Sequence, residues 1–168
     1  MDKTFLITMA LSLILNIEDV AGAVFSLTSP AFGNGQQIPA RYTCNGEDIS
    51  PPLQIANVPE GTKALALIMD DPDAPKGSWI HWVMFNIPPE TTTIAENFAP
   101  GIQGTTDFQE IKYSGPCPPH GKHRYYFKLY ALTDTLNLGP GCTKDELLMA
   151  MEGQTLMHTE LMGTYSNE

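Results

Sequence analysis

The sequence predicts a mainly β fold, mostly antiparallel, with one or two short helices. Three observations lead to this prediction. Glycine and proline are frequent, with 14 of each among 168 residues, and they divide the chain into short segments. Several segments are rich in apolar, aromatic and β-branched residues, which is typical of strands. Only one segment carries clear start and stop signals for a helix.

Strand candidates follow one another along most of the chain. ALALIM at residues 64–69 is a short apolar run, and RYYFKLYAL at residues 124–132 has the aromatic density of a half-buried sheet. Proline pairs at 51–52 and 88–89 mark turns or strand ends, because proline cannot donate to a strand ladder. The predicted strands are residues 24–28, 41–44, 64–69, 79–87, 124–132 and 155–165.

The predicted helix begins at the sequence TKDE, residues 143–146, which is a capping box. Leu147, Leu148 and Met151 follow at spacings that place them on one face, and Gly153 provides a stop. Methionines near and after this helix are expected to fill the core. They are Met149, Met151, Met157 and Met162.

Length and charge limit the classes of function. A chain of 168 residues with 42% hydrophobic residues and no repeats is expected to fold as one globular domain. Its formal net charge of -10 would be repelled by a phosphate backbone or an anionic membrane. A nucleic-acid partner is therefore not expected.

The first residues resemble a secretory signal peptide. Lys3 precedes an apolar stretch at residues 5–17 that is too short to span a bilayer, and the small residues AGA at 21–23 form a cleavage pattern. We expect residues 1–23 to be removed, leaving residues 24–168 as the mature domain in the periplasm or outside the cell. The alternatives are an N-terminal core helix or a short anchor.

The three cysteines are Cys44, Cys117 and Cys142. In an exported protein this number fits one disulfide and one spare thiol, and the residues alone leave all three pairings open. A cytoplasmic location would instead favour three reduced thiols. Zinc-site spacings such as C-x-x-C are absent from the sequence.

Two polar clusters stand out at strand ends. Asp71 and Asp73 follow the strand at residues 64–69, and His81 lies just inside the next strand. A loop rich in proline and glycine then leads to His123 and Tyr125 at the start of another strand. Taken singly, these are ordinary turn and half-buried residues. If the two loops meet at one end of the sheet, however, they form a candidate site.

The chemistry of these residues suits an anion. A carboxylate near an imidazole favours the protonated ring, so the sequence predicts raised histidine pKa values and positive charge in the site. Loop N–H groups around Gly115 are expected to add donors. Asp71 or Asp73 could meet an ammonium group, which would suit a zwitterionic ligand. His120 is expected only to flank the site, and His158 to lie on the surface or half-buried.

Three sequence blocks, in this order, resemble signature segments of the phosphatidylethanolamine-binding protein family, also called Raf kinase inhibitor-like proteins. They are DPDAP (71–75), WIHWVMFNIP (79–88) and GPCPPHGKHRYYFKLYAL (115–132). YTCNGEDISPPL (42–53) and the ending CTKDELLMAMEGQTLMHTELMGTY (142–165) resemble the bacterial and archaeal branch.

The resemblance implies a large antiparallel sheet packed with a smaller one, and a small anion pocket at one end. Cys117 stands where mammalian members have proline, and the chain lacks their C-terminal helix, so their lipid binding and kinase regulation are not carried over directly. The resemblance also implies a Cys44–Cys117 disulfide, with Cys142 free. The pocket residues it implies are Asp71, Asp73, Pro75, His81, Gly115, Pro116, His123 and Tyr125.

Three classes of function compete. We favour a module that binds phosphate or a phosphorylethanolamine-like group, acting as inhibitor or regulator of a protein such as a kinase or protease, because no residue stands out as an activated nucleophile. The alternative is a hydrolase-type enzyme that uses Asp, His and Tyr, or Cys117 beside His120 or His123. A metal site formed by the histidines and aspartates is the third. No cofactor is expected. The sequence leaves the oligomeric state open, with a homodimer as one option because microbial members of the family are often dimers.

Overall fold

The computed structural model describes residues 23–167. Nearly all regular structure is β, and α1 (Lys144–Met151) is the α-helix of this part of the chain. A single 3-10 turn, Ala40–Tyr42, precedes the second strand. The strands are β1 (Ser26–Thr28), β2 (Leu53–Ala56), β3 (Ala64–Asp71), β4 (Trp79–Ile87), β5 (Thr93–Ile94), β6 (Ile102–Gln103), β7 (Lys122–Leu132) and β8 (Thr155–Ser166).

The strands form two antiparallel sheets. The small sheet has the order β1-β2-β5, and the large sheet has the order β6-β4-β3-β7-β8. All pairs between these strands are antiparallel. The predicted fold class, a large antiparallel sheet packed with a smaller one, is therefore confirmed.

The central strand β3 is buried on both faces. Its side chains alternate, so Leu65 and Leu67 point into the core between the two sheets, while Ala66 and Ile68 point to the opposite face. There they meet an apolar cluster that includes Leu147 of α1. This double burial explains why β3 reads as a continuous apolar run, which is unusual for an antiparallel strand with one solvated face.

The helix begins as predicted. The Thr143 hydroxyl accepts from the Glu146 N–H at 3.2 Å, and the Glu146 carboxylate accepts from the Thr143 N–H at 2.8 Å. The predicted apolar face is only partly correct, because Leu147 and Met151 are buried whereas Leu148 is exposed. A helix of 8 residues, about two turns, that lies on a sheet buries only one narrow stripe.

Several predicted details are wrong. Residues 41–44 are not a strand, because the chain turns here and the Arg41 carbonyl accepts the N–H groups of Glu47 and Asp48. Met149 and Met157 are exposed, not core residues; Met151 is buried, and Met162 is partly buried. The prediction also missed β2, β5 and β6, of which the last two contain only 2 residues each.

The predicted signal peptide, residues 1–23, lies outside the described residues except for Ala23. Within residues 23–167, no helix has the length and hydropathy needed to cross a membrane.

Candidate functional site

A cavity of about 270 Å³ lies at one end of the large sheet, where β3 ends and β4 begins. Antiparallel pairing brings the start of β7 to the same end, because Asp70 of β3 lies opposite Tyr126 of β7. The two polar clusters seen in the sequence therefore meet. The cavity is lined by Asp71, Ala74, Pro75, Lys76, Trp79, His81, Phe108, Cys117 and Pro119.

His81 is a buried side chain in the cavity wall. Its Nδ1 lies 2.7 Å from the backbone carbonyl oxygen of Ser114. A carbonyl can only accept, so Nδ1 carries the proton, and Nε2 of the neutral ring is left with a lone pair. The ring also makes edge contacts with Tyr125 and Phe108, at centroid distances of 5.2 Å and 5.3 Å.

The predicted rise in the pKa of His81 is wrong. Burial lowers its pKa below the ordinary histidine value, and this outweighs the opposing effects of the Ser114 carbonyl and the Asp71 charge. The Asp71 carboxylate still favours the imidazolium, but for this buried ring the cost of desolvating the charged form is larger. Without a ligand, the ring is therefore neutral at pH 7.

Asp71 is hydrogen-bonded to His123. Its Oδ2 accepts from Nδ1 of His123 at 2.7 Å, and both side chains are buried. The second oxygen, Oδ1, accepts from the backbone N–H of Asp73 at 2.8 Å, which fixes the turn after β3. Asp71 is thus held by two hydrogen bonds, and Nε2 is the ring atom of His123 that this pair leaves available.

Asp73 does not line the cavity. Its carboxylate forms two hydrogen bonds with the guanidinium of Arg124, at 2.9 Å and 2.7 Å, and accepts the Arg124 backbone N–H at 2.9 Å. Arg124 lowers the pKa of this carboxyl group to about 2. The pair ties the loop after β3 to the start of β7. No pattern in the sequence identified Arg124 as the partner of Asp73.

Tyr125 lies behind His81 rather than in the cavity lining. Its hydroxyl is buried and forms no hydrogen bond of ordinary geometry within the described residues. Burial, followed by the charge of Asp71, raises the pKa of Tyr125 far above its usual value. The hydroxyl therefore stays protonated at neutral pH.

Gly115 and Pro116 support the wall from behind. The N–H of Gly115 donates to Oδ1 of Asp48 at 2.7 Å. Contrary to expectation, this N–H group is therefore not free to bind a ligand. A Cβ atom at Gly115 would collide with the Tyr42 carbonyl oxygen, which explains the glycine. The carbonyl of Pro116 accepts from Cys44 N–H at 3.1 Å.

The predicted Cys44–Cys117 disulfide is confirmed, with the two Cα atoms 5.4 Å apart, and Cys142 is free and buried. Cys117 lines the cavity, so the bridge forms part of its wall. A sulfur in a disulfide cannot act as the thiolate nucleophile of an enzyme. This removes the Cys117 version of the enzyme hypothesis for the oxidised protein.

Sequence reasoning missed much of the cavity lining. Phe108 comes from the loop after β6 and packs edge-on against Trp79 at 5.7 Å. Asp107 fixes this loop by accepting the Ile80 N–H at 2.7 Å. A sequence signal for Phe108 was absent because its loop has no pattern of its own. Lys76 also lines the cavity. It directly follows the DPDAP segment in the sequence, but it was not predicted as a site residue.

The remaining candidates lie elsewhere. His120 is exposed and does not line the cavity, and His158 is exposed on β8, as expected. Within residues 23–167, no group of three or more His, Cys, Asp or Glu side chains is arranged to hold a metal ion.

Comparisons with known proteins place the chain in a family. The model of the phosphatidylethanolamine-binding protein family matches residues 28–166. A UPF0098 protein of Methanothermobacter thermautotrophicus is 50% identical over 147 residues, covering 83% of this chain and 97% of the relative. A UPF0098 protein of Aquifex aeolicus is 44% identical over 168 residues, covering 94% of this chain and 98% of the relative.

Two crystal structures show the same fold. A homologue of phosphatidylethanolamine-binding proteins from Chlamydia trachomatis has a TM-score of 0.83 and 45% identity, covering 86% of this chain and 98% of its own. The Escherichia coli protein YbcL, described as a member of the mammalian family, has a TM-score of 0.80 and 28% identity, covering 86% and 99%. The chain therefore belongs to the phosphatidylethanolamine-binding protein family.

Proposed function

We propose that the cavity binds a small anionic or zwitterionic ligand such as phosphate or a phosphorylethanolamine-like group. The observation that carries the proposal is the cavity itself, in which Lys76, His81 and Asp71 are combined with aromatic walls. Its volume of about 270 Å³ is just below the range of ordinary ligand sites, which favours a small group.

The chemistry of His81 couples this binding to a proton. The neutral ring offers only an acceptor, Nε2, to the cavity, because Nδ1–H is used by Ser114. A phosphate group is then bound best with one proton shared between Nε2 and a phosphate oxygen. Because the ligand's negative charge favours the imidazolium, binding takes up a proton.

The pH dependence follows from this uptake. Burial lowers the pKa of free His81 below about 6.5. An anion that raises the pKa of His81 binds more tightly as the pH falls through the interval between the pKa of the complex and the pKa of the free protein. Affinity should therefore fall as the pH rises to neutrality, and then level off.

Calorimetric titration with inorganic phosphate and with O-phosphorylethanolamine tests the proposal. At pH 6, runs in two buffers of different ionisation heat should show uptake of protons, and affinity should be weaker at pH 8. His81→Gln should lose the pH dependence and about tenfold to hundredfold in affinity at pH 6. Lys76→Ala should also weaken binding, whereas Lys112→Ala, an exposed lysine outside the cavity lining, should not.

The outcomes separate the hypotheses. Absence of binding by both probes, or binding that is unchanged in His81→Gln and Lys76→Ala, contradicts the proposal. The runner-up, a hydrolase-type enzyme, rests on the Asp71–His123 hydrogen bond, which resembles an oriented acid–base pair. Release of free phosphate from O-phosphorylethanolamine, lost in His123→Ala, would favour this alternative.

Regulation of a protein partner is an extension of the same proposal. A kinase or protease would be inhibited if the cavity held one of its phosphorylated or acidic side chains. Competition between a phosphopeptide and O-phosphorylethanolamine in the titration above tests this, and independent binding of the two contradicts it.

We further propose that the protein is exported after cleavage at Ala23. The Cys44–Cys117 bridge supports this, because stable disulfides are mostly found in oxidising compartments. Mass spectrometry of the native protein should find Val24 at the N-terminus. An intact Met1 would contradict the proposal.

A further inference from the structure

The Cys44–Cys117 disulfide is open to solvent and borders the cavity. Both cysteines are exposed residues, and Cys117 is one of the residues that line the cavity, whereas Cys44 is not. Exposed disulfides are the labile ones, because a thiolate can reach their sulfur atoms. A small molecule in the cavity therefore lies on the Cys117 side of the bridge.

The charged groups of the cavity favour an anionic ligand. Lys76 lines the cavity and forms no ion pair within residues 23–167. The Asp71 carboxylate, by contrast, is already bonded to the His123 ring and to the Asp73 N–H. The whole chain carries a formal charge of -10, which repels anionic thiols from the rest of its surface. A preference for an anionic thiol would therefore be a property of this cavity.

Hydrogen bonds hold the two loops of the bridge together independently of the disulfide. The Cys44 N–H donates to the Pro116 carbonyl at 3.1 Å, and the Gly115 N–H donates to Oδ1 of Asp48 at 2.7 Å. Opening the bridge therefore separates two sulfur atoms without removing these contacts. The sulfur that is released stays near its partner and can restore the bridge by the reverse attack.

We propose that Cys117 is an exchange site for small thiols that carry an anionic group, an inference that rests on the proposed binding of anions in the cavity. The thiolate of the bound molecule attacks Sγ of Cys117 and forms a new S–S bond. The bond between Cys117 and Cys44 breaks, and Cys44 leaves as a thiolate that solvent can hydrate. The proton of the incoming thiol passes to water, and no net oxidation or reduction occurs. The thiol then stays covalently bound in the cavity until Cys44 attacks Cys117 and expels it.

Mass mapping of the purified full chain locates the exchange. The oxidised protein is treated with 3-mercaptopropionate, free thiols are trapped with iodoacetamide, and the modified peptides are identified. The mercaptopropionate should be found on Cys117 and the alkyl group on Cys44. Saturating inorganic phosphate should slow the reaction, because it occupies the cavity. A probe found mainly on Cys44, or equally on both cysteines, overturns the proposal.

Two matched variants measure the preference for charge. Cys44→Ser leaves Cys117 as a free thiol, and Cys117→Ser leaves Cys44. Each thiol is allowed to attack the anionic 3,3′-dithiodipropionate and the neutral 2-hydroxyethyl disulfide. The anionic-to-neutral rate ratio should be about fivefold higher for Cys117 than for Cys44, which is the effect of one unit charge about 4 Å away in water. Equal ratios in the two variants overturn the proposal.

Lysine variants in the Cys44→Ser background identify the charge responsible. Lys76→Ala should remove the preference of Cys117 for the anionic reagent, whereas Lys112→Ala, outside the cavity lining, should keep it. A preference that survives Lys76→Ala overturns the proposal. If phosphate binds in the calorimetric titration but does not slow the exchange, the exchange site is wrong and anion binding stands. If phosphate does not bind and Cys117 shows no preference, both proposals are wrong.

Discussion

The large sheet ends in two different ways. At one end, Asp71, His123 and the Cys44–Cys117 bridge hold polar loops together around a small cavity. At the other end, where β8 begins, Met149 of α1 and Leu156 of β8 are exposed beside an open groove of about 470 Å³. The first end is fixed by specific hydrogen bonds and a covalent link, and the second by shape-tolerant apolar packing. One sheet thus combines a polar site held by hydrogen bonds and a disulfide with an exposed apolar surface.

Removing the disulfide should be the largest disturbance of the fixed end. The bridge joins residues separated by 73 positions, and a loop of this length contributes about 4 kcal/mol through the unfolded state. Cys44→Ser/Cys117→Ser should lower the free energy of unfolding by this amount in denaturant titration. A loss below about 1 kcal/mol would mean that the hydrogen bonds alone fix this end.

Removing Asp71 should have the next largest effect. Asp71→Ala leaves His123 buried without its hydrogen-bond partner, which should cost about 3 kcal/mol of unfolding free energy. Asp73→Ala is the matched control, because its pair with Arg124 is partly exposed and screened by solvent, and we expect a much smaller loss. Equal losses in the two variants would contradict this division between buried and exposed carboxylates.

The apolar end should respond according to burial alone. Met151→Ala should cost about 2 kcal/mol or more, because Met151 lies on the buried face of α1 and is only 4% exposed. Met149→Ala, in the same helix but 75% exposed, should change the free energy by less than about 0.5 kcal/mol. Thermal and denaturant unfolding of both variants measure this. A large effect of Met149→Ala would indicate that its surface is covered in solution.

The smallest effect is expected from pH. Burial lowers the pKa of His81, so the unfolded chain binds a proton near pH 6.5 that the folded chain binds only at lower pH. Stability should therefore fall as the pH drops below about 6.5, by at most about 1.4 kcal/mol per pH unit from this residue. Comparing the pH dependence of the free energy of unfolding between the wild-type protein and His81→Gln isolates the contribution of this histidine. Parallel profiles would contradict a neutral His81.

Sequence reasoning predicted the long elements well and the site in part. The boundaries of β4 and the capping box of α1 were correct because their signals are local, a run of β-branched and aromatic residues and a four-residue motif. The short strands β5 and β6 carry too few residues for a pattern. They form because neighbouring strands offer an edge, which no local signal records.

The site residues show the same limit. Asp71 and Asp73 are two positions apart and look equivalent in the sequence, yet one faces His123 and the other Arg124. Which carboxylate turns inward depends on the start of β7, about 50 residues away. The direction of the His81 pKa shift likewise depends on burial, which the sequence does not specify. Phe108 reaches the cavity through a loop that only the folded chain positions.

The free thiol of Cys142 gives the protein a built-in reporter of opening. Cys142 lies in the apolar layer between the large sheet and α1, and burial raises the pKa of its thiol. In the folded protein, alkylating reagents therefore have little access to the sulfur and find little of the reactive thiolate. Its rate of alkylation therefore measures how often the structure around Cys142 opens. Because Cys44 and Cys117 are bonded to each other, alkylation of the oxidised protein reports on Cys142 and its surroundings.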